Sequence, residues 1–347
     1  MLIDETVRLA PYQKSSQFES SFALFEAYMK PFTNINQQIN ILKSRNLIFK
    51  DESRARQLLL RYGYYEIING YKNSFLDLSN KTEKFLPDTT FEHLYSLYDL
   101  DKDIRKIVMQ ATLEIELTLR TAIAYTIAED FGVSREDYLK LRNFRQGEIA
   151  FLSDGTRTNE RNILLHHLST IHKRNIEPLI HYRTKHGHIP PWILLKESTF
   201  GNLVHLYRLL KGPQKTKVIS ICYNIPIENI TDNIKSLFND SISVILSFRN
   251  RAAHSGRIFN FKSNKHFLKF NDYFHIKNNI TPAAYRTEIG KSDIYTLSLI
   301  FSEFENESAG PTFQYSLVEL VKDYCKLNPD DLEYITSEMN FPIEEFK

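Results

Sequence analysis

Cysteine is scarce in this chain. There are two in 347 residues, Cys222 and Cys325, with no CxxC pair. That leaves no basis for a disulfide framework or a zinc-thiolate site and fits a reducing compartment. Chain-breakers are also few, with 11 glycines and 12 prolines. So few over this length favours long helices over many short strands with tight turns. No run approaches the ~18 apolar residues of a membrane span. The N-terminal MLIDETVRLA carries no apolar signal core. The reading is a soluble, cytoplasmic protein with no membrane partner. The formal net charge is only +2, so the total favours no partner of either sign. Aromatic residues, by contrast, are plentiful: 24 Phe and 19 Tyr among 42% hydrophobic residues supply a core for one large domain or two ordinary ones.

The near-neutral total hides an uneven distribution. Residues 139–217 carry 14 Lys/Arg against 5 Asp/Glu, and residues 303–347 carry 3 against 11. A basic middle attracts a polyanion and an acidic tail can balance it; the bland alternative is two complementary surfaces facing each other or solvent. Arg157, Arg161, Lys173, Arg174, Arg183 and Lys185 are the expected RNA-binding residues of the basic stretch. Six of the 11 histidines, His166, His167, His172, His181, His186 and His188, fall within residues 166–188 of it. Without HExxH, and with few carboxylates nearby, their spacing does not make a metal site; neither metal nor cofactor is expected.

The periodicity is helical almost throughout. A short helix is expected at SFALFEAYM within a peripheral stretch 1–30. Asn34 or Asn36 caps a helix to Arg45, and Asp51 or Ser53 caps the next, giving a helix-turn-helix-like pair. From Thr90 to Gly132, Leu94, Leu97, Tyr98, Ile104, Ile107, Val108, Ala111, Ile115, Leu119 and Ala122 recur at three and four, predicting one very long helix. On it Glu116 and Arg120 stand four apart and can pair; Glu114 and Glu116 straddle Ile115, so at most one shares its face. A solvated charged side is the simpler expectation for these carboxylates. FRQGE and SDGTRTNER read as loops, and Trp192 after the diproline reads as an apolar anchor. Ser198 or Thr199 caps a helix at about 200–211, and helices return at 292–305, 313–326 and 329–338. The predicted class is all-α. The chain divides into an N-terminal helical region (1–80), a core (81–262) with the basic insertion at 139–217, and an acidic helical region (263–347).

The sharpest feature is SFRNRAAHSGRIFNF at 247–261. It follows a stripe of Ile234, Leu237, Phe238, Ile242, Ile245 and Phe248, which, continued by one turn, brings Arg249 and Ala252 onto or beside the apolar face. A guanidinium aimed inward must meet a carboxylate, a carbonyl or a ligand phosphate. Gly256 permits the helix to end, which puts His254 at the C-terminal turn, where the dipole favours a cation. Arginine and histidine together suit RNA cleavage by a ribose 2′-hydroxyl: histidine moves protons, and arginine binds phosphoryl oxygens. Five residues apart, however, Arg249 and His254 project about 140° from each other on a straight helix. The site must then bend, or be assembled from two helices or two chains. Arg251 and Arg257, each three from His254, are alternative neighbours, and a cation cluster capping last-turn carbonyls is the non-catalytic reading.

These pieces fit a known pattern. The chain resembles the Abi-like proteins, the AbiD/AbiF group of bacterial abortive-infection proteins within the HEPN superfamily, over roughly residues 31–262. The matching segments run in order: NLIFKDESRARQLLLRYGYYEIINGY, YDLDKDIR at 98–105, EIELTLRTAIAY at 114–125, PPW at 190–192, STFGNL at 198–203 and RNRAAHSGRIFN at 249–260. HEPN ribonucleases carry Arg, a polar residue, three further residues and His, and 249–254 has that spacing. The resemblance implies a HEPN-like helical bundle with added N-terminal and C-terminal helices. It also implies a metal-independent endoribonuclease whose catalytic residues are Arg249, Asn250 and His254. Read from their own placement rather than from the family, Glu116 and Arg120 on the long helix and Arg251 and Arg257 beside His254 are the supporting residues. Glu116 is expected to hold Arg249. The family further implies a homodimer sharing two motifs, a toxin-like role in phage defence, and control by a small noncoding RNA. The competing readings are an RNA-binding protein without catalysis and a DNA-binding regulator that uses 34–62, with Arg54 and Arg56 on the duplex.

Overall fold

The computed structural model describes residues 31–304 and 309–346, so the helix expected at SFALFEAYM lies outside the described residues. They form two compact units that divide between Leu94 and Tyr95.

In the first unit, α1 (Ile35–Ser44) and α2 (Glu52–Tyr62) bury Ile39, Leu42, Ala55 and Leu59. Of the caps the sequence offered, Asn34 and Asp51 are used. Asn34 makes a full capping box with Gln37, and Asp51 accepts from Arg54 N–H at 2.9 Å. Asn36 is engaged elsewhere, accepting from Arg56.

The predicted long helix is α3 (Phe91–Phe131), 41 residues, and Gly132 follows it with φ +95°. In the second unit α3 buries Ile104, Val108, Ala111, Ile115, Leu119 and Ala122. Beyond it come α4 (Arg135–Tyr138), β1 (Ile149–Phe151), β2 (Arg157–Asn159), α5 (Glu160–His172), α6 (Leu179–Lys185), α7 (Pro191–Leu194), α8 (Phe200–Leu209) and α9 (Gly212–Tyr223). The stretch read as loops therefore contains a small antiparallel hairpin, Ile149 opposite Asn159. Its strands are three residues each, too short to show a period of two. Trp192 is no anchor. It is 48% exposed, while its neighbours Pro190 and Pro191 are buried.

The central helix α10 (Asp232–Ala253) is capped by Thr231 and buries Ile234, Leu237, Phe238, Ile242, Ile245 and Phe248, the stripe read from the sequence. Phe238 packs on Tyr207 of α8 (5.0 Å between centroids) and Tyr223 of α9 (5.1 Å). Then follow α11 (Asp272–Lys277), α12 (Pro282–Arg286), α13 (Ile294–Glu303), α14 (Ala309–Leu327) and α15 (Leu332–Met339). Phe301 of α13 meets Phe313 of α14 at 5.1 Å. The fold is all-α apart from the hairpin. Among the described residues, no helix is long and apolar enough to cross a membrane.

Candidate active site

The site grows from the last turns of α10. Phe248 and Ala252 are on its buried face, so Arg249 comes out at the edge of the core, half-buried. Its Nη1 donates to Asn250 Oδ1 at 3.3 Å. Its Nε is buried and has no acceptor among the described residues. A buried donor left unpaired costs about 1–3 kcal/mol. A carboxylate or phosphoryl oxygen matches a guanidinium edge. Asn250 and His254 are exposed, and the His254 ring has no hydrogen bond to any described residue.

The helix ends through crossed backbone bonds. Ser255 N–H donates to Ala252 O at 3.1 Å and Gly256 N–H to Arg251 O at 2.9 Å, with His254 as the C-cap. The left-handed residue is Ser255, φ +58°, and not Gly256 as the sequence suggested. Gly256 serves a close approach: a Cβ there would overlap the Arg251 side chain. Arg251 folds back to donate from Nε to Arg257 O at 3.1 Å and sits 5.4 Å from the Phe261 ring centroid. Arg257 lies 5.9 Å from the Phe259 centroid. Both arginines thus brace the turn that presents His254.

The chain leaving that turn is tied to α3 by a residue the sequence reading did not assign. Asp101 is fully buried; its Oδ1 accepts from Ile258 N–H at 2.9 Å and Phe259 N–H at 2.7 Å. Its Oδ2 pairs with buried Arg105 at 2.6 Å. The signal was present, since Asp101 and Arg105 stand four apart on the stripe of Leu97, Tyr98, Ile104 and Val108. Charges on an apolar stripe announce a buried pair.

Glu116 is 8% exposed, so the solvated-side expectation fails for it. It does not hold Arg249 either; its carboxylate accepts from Arg120 Nη2, one turn along the same helix. A partner four residues away is reached without help from a second element. Among the described residues, Arg249 has no ion pair.

The basic stretch divides by use. Arg183 is a strut, donating from Nη2 to His172 O at 2.5 Å and Arg174 O at 3.0 Å, and from Nη1 to Asn175 Oδ1 at 3.1 Å. Arg161 donates to Leu141 O at 3.3 Å. Arg157, Lys173, Arg174 and Lys185 are exposed cations. His172 is held below the usual histidine range by burial and then by Arg135 and Arg183. His181 and His186 rings meet at 5.5 Å, and His188 Nδ1 lies 2.9 Å from His186 O. Among the described residues, no three His, Cys, Asp or Glu side chains gather as a metal site. In the helix-turn-helix-like pair, Arg54 is exposed and Arg56 pairs with Glu52 at 2.6 Å.

Compared with known proteins, residues 57–260, more than half of the chain, match the family model described as Abi-like protein. Neither a curated protein nor a solved structure matches.

Proposed function

The chain belongs to the Abi-like protein family, and on that premise we propose that it is a metal-independent endoribonuclease of the HEPN type that cleaves single-stranded RNA. The membership itself points to abortive-infection defence against phage. The finer reading is a toxin-like RNA cleaver governed by a small noncoding RNA; the noncoding-RNA control rests on the family resemblance alone, and the RNA cleavage is carried by one observation. A half-buried Arg249 with an unaccepted Nε stands five residues before an exposed, unengaged His254. In the reaction a ribose 2′-oxygen bonds to the neighbouring phosphorus and loses its proton to a histidine. The bond from phosphorus to the 5′-oxygen breaks, and that oxygen takes a proton. Arg249 donates to the phosphoryl oxygens as charge builds there, and Asn250 helps orient the phosphate.

One motif holds one histidine, and on a straight helix an arginine five residues before it projects about 140° away. Two motifs facing each other across a homodimer supply a base, an acid and two arginines to one cleft. The long helix supports such pairing. Leu113, Leu117 and Tyr125, at intervals of four and eight, are 59%, 54% and 57% exposed on the element that carries Glu116 and Arg120. Leu117→Glu is expected to turn a dimer into a monomer in sedimentation and to suppress cleavage with it. A monomeric wild type that cleaves would remove the dimer.

The arginine gives a second test. Arg249→Met keeps an unbranched stem as far as the position of Nε, removes the guanidinium beyond it and deletes the unpaired buried donor. Folding stability is expected to hold or rise, because the unsatisfied Nε goes, while cleavage of labelled RNA falls by at least about a hundredfold. Cleavage at the wild-type rate in the folded variant would contradict the role given to Arg249.

A further inference from the structure

We propose that the face made by α5 and α8 is a separate recognition site that takes one unpaired nucleotide, its base in the pocket between the two helices and its phosphate on Arg145, Arg208 and Lys215. The proposal rests on the reading that RNA is the ligand, and it uses none of the residues of the α10 turn.

The pocket has a volume of about 330 Å³ and is lined by Glu160, Ile163, Leu164 and His167 of α5 and Asn202 and His205 of α8. Small-ligand pockets start near ~300 Å³. Leu164 is buried and Ile163 partly exposed, which gives the pocket an apolar wall. The polar groups are arranged as a base edge requires. Asn202 Nδ2 lies 2.9 Å from His167 Nε2, a contact that fixes the carboxamide. Its Oδ1 remains as an acceptor and its second amide hydrogen as a donor, a pair that matches the donor and acceptor of a nucleobase edge. Glu160 Oε2 accepts from Glu148 N–H at 3.1 Å, so its other oxygen is open to an exocyclic amine. The exposed His205 ring offers a stacking surface. A base enters such a pocket only when it is out of a duplex.

The cations lie one turn further along. Arg208 follows His205 by three residues on α8 and donates to Ser243 Oγ at 2.8 Å. Arg145 is fastened at the end of α8, its N–H donating to Leu209 O at 2.7 Å. Two residues on, Gly147 (φ +71°) passes so close that a Cβ would come within 2.9 Å of both Glu160 Cβ and Leu209 Cδ2. The 145–147 strap therefore binds the start of α5, where Glu160 lines the pocket, to the end of α8. Lys215, on the first turn of α9, stands 5.5 Å from the Tyr207 ring centroid. Burial, and then the neighbouring Arg145 and Arg208, hold its pKa below the usual lysine value. None of these three cations has an ion pair among the described residues, whereas nearby Lys217 is neutralised by Glu129 at 2.7 Å and by Asp130. Three cations kept together without a carboxylate suit a phosphate.

The test uses the full-length His254→Ala protein in EDTA, so that bound RNA stays intact. It is titrated with end-labelled 12-nucleotide single-stranded RNAs of mixed sequence over a range of salt. Adding Asn202→Leu or Lys215→Gln is expected to weaken binding at least tenfold. Lys215→Gln should also lower the slope of log affinity against log salt by about one, since one phosphate contact is lost, and Asn202→Leu should leave the slope unchanged. Competition by each nucleoside 5′-monophosphate separates the sources. A mononucleotide that displaces RNA from the site, but fails against Asn202→Leu, identifies a free nucleotide; RNA that resists all four identifies a nucleotide within a strand. Unchanged RNA affinity in both variants overturns the proposal, whatever the fate of the cleavage reading.

Discussion

Replacing His254 by alanine is expected to abolish RNA cleavage and leave the fold intact. General acid–base catalysis contributes about a hundredfold to ten-thousandfold, and in the proposed dimer every His254 is removed at once, so the loss should reach at least the upper part of that range. The structural consequence should be negligible. The ring is exposed and has no hydrogen bond to a described residue, and the turn around it is closed by backbone bonds from His254, Ser255 and Gly256 that alanine keeps. Melting temperature and oligomeric state should therefore match the wild type. Cleavage at more than a tenth of the wild-type rate would take His254 out of the chemistry. A fall in melting temperature along with activity would make it a structural residue.

Asp101→Ala is the second large effect, and it acts through the fold. The substitution deletes the acceptor for two buried backbone N–H groups and the counter-charge of buried Arg105. Breaking a buried pair from one side costs about 3–5 kcal/mol. Urea unfolding should show a correspondingly lower midpoint with a similar slope. Cleavage should fall as well, because Ile258 and Phe259 anchor the chain just after the turn that holds His254. Asp101→Asn keeps one acceptor and loses the charge, and should lie between the two. A wild-type midpoint for Asp101→Ala would mean that other contacts fix the turn.

These residues show where the sequence was readable. The stripe of α10 and the ten apolar positions of α3 are strong periodic signals over 22 and 41 residues, and both helices formed as expected. The Arg249–His254 spacing is local and was equally legible. What was missed depends on distance along the chain. Asp101 acts on residues 157 and 158 positions away, and nothing near it names them. Asn202 meets His167 across 35 residues, so the pocket between α5 and α8 has no motif. Glu116, expected to hold Arg249, pairs instead with Arg120 one turn along its own helix. Ser255 holds the left-handed φ at the helix end, while Gly256 serves the close approach of Arg251.

The measurement that bears most directly on the function is the chemistry of the product ends. Full-length wild-type protein is incubated in EDTA with a single-stranded RNA labelled at its 5′ end, and the fragments are compared with a matched RNA carrying a 2′-deoxy or 2′-O-methyl sugar at the cleaved position. The expected result is cleavage that leaves a 2′,3′-cyclic phosphate and a 5′-hydroxyl, and none where the 2′-hydroxyl is blocked. Cleavage of the blocked RNA, or fragments ending in a 3′-hydroxyl, would contradict attack by the ribose and with it the role assigned to Arg249 and His254.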